Sequence, residues 1–240
     1  YPLVSLREYT AVNPGSPENL KPWRVLKPIS ADHEYLRSNL RVGLLNTLAA
    51  NQRHDEHPFS LFEVGRVFTP QVTGIITELD TAGGLLAGPS RPSSWLHGAD
   101  LFGFYDVKGI LEFVFRKLAI HPWFNPLNDN FFHPGRSSSV ESEHGQIGRL
   151  GEIHPSVLEA FGIELSPAIF FELDIEPISQ MLRKVRQPLR TPSIYPPAYR
   201  DIALIADLRV PAAAVHASII SQPLISHATL FDVFAGEQLG

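Results

Sequence analysis

The chain has 240 residues, 44% of them hydrophobic and 19% charged, with a formal net charge of −5 and no cysteine. That balance excludes a disordered chain, and the missing thiols exclude disulfides, thiolate metal sites and a cysteine nucleophile. Tight nucleic-acid binding rests on a basic field that this charge does not supply, and no apolar run reaches the roughly 18 residues of a membrane span.

In chain order, the first strong signal is ADHEYLRSNLRVGLLNTLAANQR. Leu36, Leu40, Leu44 and Leu48 recur every four residues, which predicts a helix over 31–53 with Ser30 or Asp32 as its cap. SLFEVGRVF, residues 60–68, is short and apolar-rich and predicts a strand. Residues 69–104 are broken by glycine and proline, with a strand expected at AGGLLAG and a loop at SRPSSWLHGAD. Over 106–118 the positions Val107, Ile110, Leu111, Val114, Phe115 and Leu118 mark one helical face, with Asp106 as the expected N-cap.

RSSSVESEHGQIGRLGEI predicts two strands around a turn at His144–Gly145. HPSVLEAFGI predicts a short helix, Pro155 in its first turn and Gly162 at its end. IFFELDI is a strand, and Pro177 opens another helix, PISQMLRKV. Four prolines in QPLRTPSIYPP, residues 187–197, mark a linker. Beyond it, RDIALIADL, VPAAAVHASIIS and HATLFDVFAG predict strand, helix and strand, which is β–α–β. The chain opens in mid-pattern at Tyr1, with no signal peptide, and closes on EQLG, as expected of a segment of a longer protein.

Few residues carry a reaction on their own. His133, His144 and His154 lack ligand spacing and fit turns and caps better than a metal site. FHPGRSSS sets serines near a histidine without a nucleophile elbow, and TAGGLLAG lacks the lysine and threonine of a phosphate loop. In FFELDIEP, Glu172, Asp174 and Glu176 stand two apart, which on a strand puts them on one face. They read either as an acid–base pair with split pKa values or as a polar strand face, in solvent or against arginines.

Several stretches together resemble the β subunit of bacterial phenylalanyl-tRNA synthetase. They are ISADHEYLRSNLRVGLLNTLAANQR, LFEVGRVF, FYDVKGILE, FHPGRS, IGRLGEIHPSVLEAFGI, FFELDIEPI, and YRDIALIADLRVPAAAV with LFDVFAGEQLG. The resemblance covers essentially the whole chain and implies an α+β fold. Residues 1–188 would form a non-catalytic module with the antiparallel sheet and flanking helices of class II aminoacyl-tRNA synthetases. Residues 189–240 would hold a linker and the first half, β–α–β, of a ferredoxin-like anticodon-binding domain. The helix at 31–53 and the strand at 60–68 look like class II motif 1, which packs subunits together. Arg37, Asn39 and Arg41, on the flanks of the leucine stripe, are then the expected partner contacts.

Active class II synthetases carry a strand-to-helix stretch reading roughly F-G-x-G-x-E-R, whose glycines admit ATP and whose arginine holds its phosphates. Against that pattern Glu172 and Asp174 stand at the two glycine positions, Glu176 matches the glutamate, and Pro177 replaces the arginine. The resemblance therefore implies a degenerate nucleotide site, with no catalytic residue and no metal or cofactor bound by this segment; the holoenzyme uses ATP and magnesium. It implies a cytoplasmic α2β2 heterotetramer with the catalytic α subunit, and tRNA(Phe) as a partner of the full-length protein. The alternatives are a divergent but active class II ligase and a stand-alone tRNA-binding module.

Overall fold

A computed structural model describes residues 1–15, 22–53, 58–70, 75–91, 100–184, 195–207 and 209–233. The chain divides into two compact units, Tyr1–Pro188 and Leu189–Gly240.

The first unit is an α+β structure around a six-stranded sheet that is antiparallel throughout. Its strands are β3 (Phe59–Pro70), β4 (Ile76–Ala87), β5 (Trp123–Pro126), β6 (Phe132–Ser142), β7 (Gly145–Ile153) and β8 (Ala168–Asp174), in the order β3-β4-β8-β7-β6-β5. A two-stranded sheet pairs β1 (Leu3–Val4) with β2 (Tyr35–Leu36). The helices are α1 (Leu6–Val12), α2 (Arg41–Asn51), α3 (Phe104–Lys117), α4 (Pro155–Ala160) and α5 (Ile175–Lys184).

Alternation along β8 divides the interior. Phe170 packs on one face of the sheet, with Leu40, Leu44, Leu45 and Leu48 at α2 and Val157 and Leu158 of α4. Ile169 and Leu173 pack on the other, with Val107, Leu111 and Phe115 of α3 and Ile178 and Met181 of α5. A sheet apolar on both faces needs helices on both sides, and the helical stripes supply them.

Several expectations change. The helix expected over 31–53 starts only at Arg41. The preceding residues form a 3₁₀ turn at Ala31–His33 and then β2, because their backbone N–H groups find distant acceptors: Glu34 donates to Val4, Leu36 to Trp23 and Arg37 to Pro2. Of the four stripe leucines, Leu40, Leu44 and Leu48 are buried, and Leu36 stands on β2. Ser30 flanks the 3₁₀ turn without a side-chain cap, and Asp32 lies within it. In α3, Asp106 is not the N-cap but stands three residues inside, where its carboxylate accepts the N–H of Gly103 at 2.7 Å. Helix α5 begins at Ile175, two residues before Pro177, so Glu176 lies in its first turn rather than on the strand.

Helix α4 begins at Pro155 as its sequence predicts, and Gly162 follows it with φ of 64°, a left-handed conformation suited to glycine. In the second unit α6 (Ala212–Ile220) is present. The expected strands on either side of it are not: among the described residues 201–207 and 227–233 join no ladder, and a strand exists only as part of one. The linker expected at 187–197 and the loop at 90–100 lie largely outside the described residues. Among the described residues no helix is long and apolar enough to cross a membrane.

Candidate functional site

The registers of the six strands place Glu63, Gly83, Glu172, Arg149, Ser139 and Asn125 in one row across the sheet. Residues directly opposite share a face, and here it is the face covered by α2. A charged layer thus lies beneath an apolar helix, and each charge in it needs a partner to be tolerated.

Glu172 sits at the centre of the row and is buried. Its Oε1 accepts the N–H of Leu40, the N-cap of α2, at 2.9 Å. Leu40 has no side-chain oxygen to cap the helix, so a carboxylate from across the chain meets the positive end of the helix dipole. Gly83, opposite Glu172 on β4, has no side chain, and Leu40 and Leu44 occupy that space; a Cβ there would stand 3.2 Å from Leu40 Cδ1. Helix α2 therefore rests directly on the sheet at the point where Glu172 holds its start.

Arg37, Asn39 and Arg41 are turned inward. Their relative exposures are 7%, 8% and 3%, which corrects the expectation that they stand on an open helix flank. Only Arg41 belongs to α2; the other two precede it. Arg37 Nε donates to the carbonyl of Arg66 at 2.9 Å and Nη1 to Glu63 at 2.5 Å, while the Arg37 carbonyl accepts the N–H of Phe68 at 2.8 Å. Arg37 thus covers the outer edge of β3 around Arg66–Phe68. Asn39 donates to Asn13 Oδ1 at 3.0 Å and accepts the N–H of Arg41 at 3.3 Å.

Arg41 donates to the carbonyl of Val12 at 2.9 Å and to Asp129 Oδ2 at 2.8 Å, and its guanidinium lies 4.1 Å from the centre of the Phe131 ring. Burial draws its pKa below the ordinary arginine value, against the opposing pull of Asp129 and Glu172. Burial also acts to raise the pKa of Asp129, but Arg41, the Phe131 N–H and Arg149 outweigh it and hold the carboxyl below the usual range.

Asp174 and Thr81 face each other one row further along. Burial raises the Asp174 pKa, and Arg149 offsets this only in part. The Thr81 hydroxyl is buried and has no hydrogen-bond partner among the described residues. Glu176 is exposed on α5 and accepts a hydrogen bond from Gln180 at 2.9 Å, with Pro177 beside it in the helix. Of the three acids expected on one face, the structure therefore brings together Glu172 and Asp174 and sets Glu176 apart.

The remaining polar groups are committed locally. Ser137 and Ser138 donate to the carbonyls of Leu127 and Asn125 at 2.8 and 2.7 Å, and Ser139 donates to Glu141 at 2.8 Å. His154 caps α4, its Nδ1 accepting the N–H of Ser156 at 3.2 Å. Among the described residues no three metal-ligating side chains converge. Glu63, Arg149, Asp129 and Gly83 were missed in the sequence. Glu63 alone had a signal, since in LFEVGRV it alternates inward with Leu61 and Val67.

The arginines here pair with carboxylates and carbonyls, although the buried Arg41 Nε has no hydrogen-bond partner among the described residues, and Leu40 covers the one glycine in the row. ATP with magnesium does not fit these residues: Glu172 and Asp174 would meet the triphosphate with negative charge.

Residues 1–175 match the family described as the phenylalanyl tRNA synthetase beta chain CLM domain. The chain is 31% identical over 246 residues to a phenylalanine–tRNA ligase beta subunit of Synechococcus elongatus, covering 99% of this chain and 30% of that one. It is 32% identical over 247 residues to a subunit of the same name from Carboxydothermus hydrogenoformans, covering 97% and 30%. With the counterpart from Moorella thermoacetica it shares 32% over 249 residues, covering 98% and 30%. The chain thus spans about 30% of the length of these curated relatives.

Proposed function

The chain belongs to the phenylalanyl-tRNA synthetase β-chain family, and from that premise we propose that it is a non-catalytic assembly module of phenylalanine–tRNA ligase, docking the catalytic α subunit. In this reading residues 1–188 are a class II synthetase-like module from the C-terminal part of the β subunit. Residues 189–240 are a linker and the first half of a ferredoxin-like anticodon-binding domain. The α subunit carries ATP, magnesium and phenylalanine. The whole is a cytoplasmic α2β2 enzyme that charges tRNA(Phe).

The observation that carries the proposal is the Glu172–Leu40 hydrogen bond. Where a nucleotide-binding relative needs an open glycine, this chain has a carboxylate committed to its own helix. The site is degenerate at Glu172, Asp174, Glu176 and Pro177, and the sheet face is used for internal packing.

Docking in this reading falls to β3 rather than to the polar residues before and at the start of α2. Phe62 and Val64 stand outward at 82% and 62% exposure, on the face away from α2. The N–H of Phe68 and the carbonyl of Arg66 meet Arg37 off the sheet. By alternation the backbone groups of Phe62 and Val64 point to the same edge, where no strand pairs among the described residues. An apolar strand with a free edge suits addition of a partner's strand. Arg37 then serves assembly indirectly, by holding the segment before α2 on β3, while Asn39 and Arg41 tie the start of α2 to Asn13, Val12 and Asp129.

Isothermal titration of the chain with Mg-ATP tests the degenerate site. No binding heat is expected; micromolar binding would overturn the assignment and favour a divergent, active ligase.

A further inference from the structure

Helix α4 and the loop after it border a groove that shares no residue with β3. Its deeper part is a cavity of about 290 Å³ lined by Pro155, Leu158, Glu159, Ile163, Glu164 and Ser166, with Gly162 between them. A second cavity of about 200 Å³, beside Gln52 and Arg53 at the end of α2, shares Gly162 and Glu164 with the first. The two form one groove from α4 to the end of α2. The loop between them is held from both sides. The N–H groups of Gly162 and Ile163 donate to the carbonyls of Glu159 and Leu158, each at 2.9 Å. From α2, the Gln52 side chain donates to the Gly162 carbonyl at 2.6 Å and accepts the Glu164 N–H at 2.9 Å. The groove is therefore formed before any ligand arrives, and binding there carries little ordering cost.

The floor is apolar and the rim acidic. Leu158 and Ile163 are core residues, 3% and 6% exposed, and Pro155 adds an apolar wall. Glu159 and Glu164 stand exposed beside them, and neither forms an ion pair among the described residues. No lining residue of the first cavity is basic, and Arg53 stands at the far end, in the second. Such a rim repels phosphate, so a nucleic acid does not fit. Its complement is a run of methylenes ending in a cation: the stem covers Leu158 and Ile163, and the head reaches the two carboxylates.

The cavity opens to solvent and lies at the lower end of the ~300–1,000 Å³ of small-molecule sites, which enclose most of their ligand. A side chain needs cover only along its stem, and the adjoining cavity leaves room for the backbone that carries it. We propose that the groove receives a lysine or arginine side chain from an extended segment of a partner protein. The inference goes beyond the docking of the α subunit through β3 and does not rest on it. One such contact is weak alone, since exposed ion pairs contribute little, and it strengthens where other contacts hold the partner.

Amide chemical shifts of the isotope-labelled chain, titrated with a capped pentapeptide of glycine and serine around one central arginine, test the proposal. Saturable shifts are expected at Leu158, Gly162, Ile163 and Glu164, and none when the central residue is glutamate. The double variant Glu159→Gln with Glu164→Gln should bind about tenfold more weakly, with an unchanged melting temperature because both side chains are exposed. Propylguanidine, the arginine side chain without its backbone, separates a peptide from a free amine and should bind more weakly than the peptide. No saturable shift at these amides, undiminished binding by the double variant, or propylguanidine binding as tightly as the peptide would each overturn the proposal.

Discussion

The carboxylate of Glu172 holds the N–H of Leu40 at 2.9 Å across 132 positions of sequence. One strand residue thereby fixes where a helix begins, and the helix closes the face of the sheet on which that residue stands. Replacing Glu172 by Ala should cost about 1–3 kcal/mol, the penalty of a buried donor left unpaired. Glu172→Gln keeps an acceptor and loses only the charge at the helix start, about 0.3–1 kcal/mol. Urea denaturation of the two variants separates these terms; equal losses would mean that the hydrogen bond itself contributes nothing.

Arg41 is the most enclosed charge in the layer, and Asp129 is its ion-pair partner. Arg41→Met should destabilise the chain by about 3 kcal/mol, because the half-buried Asp129 loses its nearer cation and keeps only Arg149, 3.5 Å away. Adding Asp129→Leu should recover part of that loss, and a double-mutant cycle reads the coupling. The Asp129 pKa is depressed in the folded chain, so its stabilisation is fully present above the ordinary value of 3.8 and is lost as pH falls through the depressed one. Acid titration of stability should show this loss in the wild type and not in Asp129→Asn.

Asp174 behaves in the opposite sense. Its folded pKa is raised, so the folded chain holds the proton more tightly and stability falls as pH rises from 3.8 through the raised value. Asp174→Asn should therefore raise the thermal midpoint at neutral pH, and the gain should disappear in acid below the ordinary aspartate value. A variant less stable at neutral pH would show that the ionised Asp174 is needed where it stands.

Phe62 and Val64 lie open on β3, so charge there should leave the fold intact. Phe62→Asp and Val64→Asp should unfold within about 0.5 kcal/mol of the wild type, as surface changes do. Both should weaken capture of the α subunit. Reversing Arg37 and Arg41 should instead lower assembly and stability together, since both residues are internal. Circular dichroism melts beside a binding assay distinguish the two patterns.

The regular parts of the fold were legible where periodicity ran alongside a turn signal. Helix α3, the β6–β7 hairpin, α4 and β8 follow their sequence patterns closely. The pattern misled between residues 31 and 40, where leucines at helical spacing continue but the backbone is claimed by Val4, Trp23 and Pro2. Those partners lie outside any local window, and tertiary pairing overrode a local period. Burial of Arg37 and Arg41 was hidden for the same reason: their countercharges, Glu63 and Asp129, are 26 and 88 positions away. Glu172 stood out as one of three acids two apart on a strand, and again at a glycine position of the pattern it resembles. Its use, capping a distant helix, could be read only from the fold.

The most direct test of the assembly role is the mass of the chain mixed with the α subunit of phenylalanine–tRNA ligase, measured by light scattering during size-exclusion chromatography. A discrete complex heavier than either component, lost on Phe62→Asp, is the predicted result. Two unmixed peaks at concentrations where both chains are folded would contradict the claim that this segment docks the catalytic subunit.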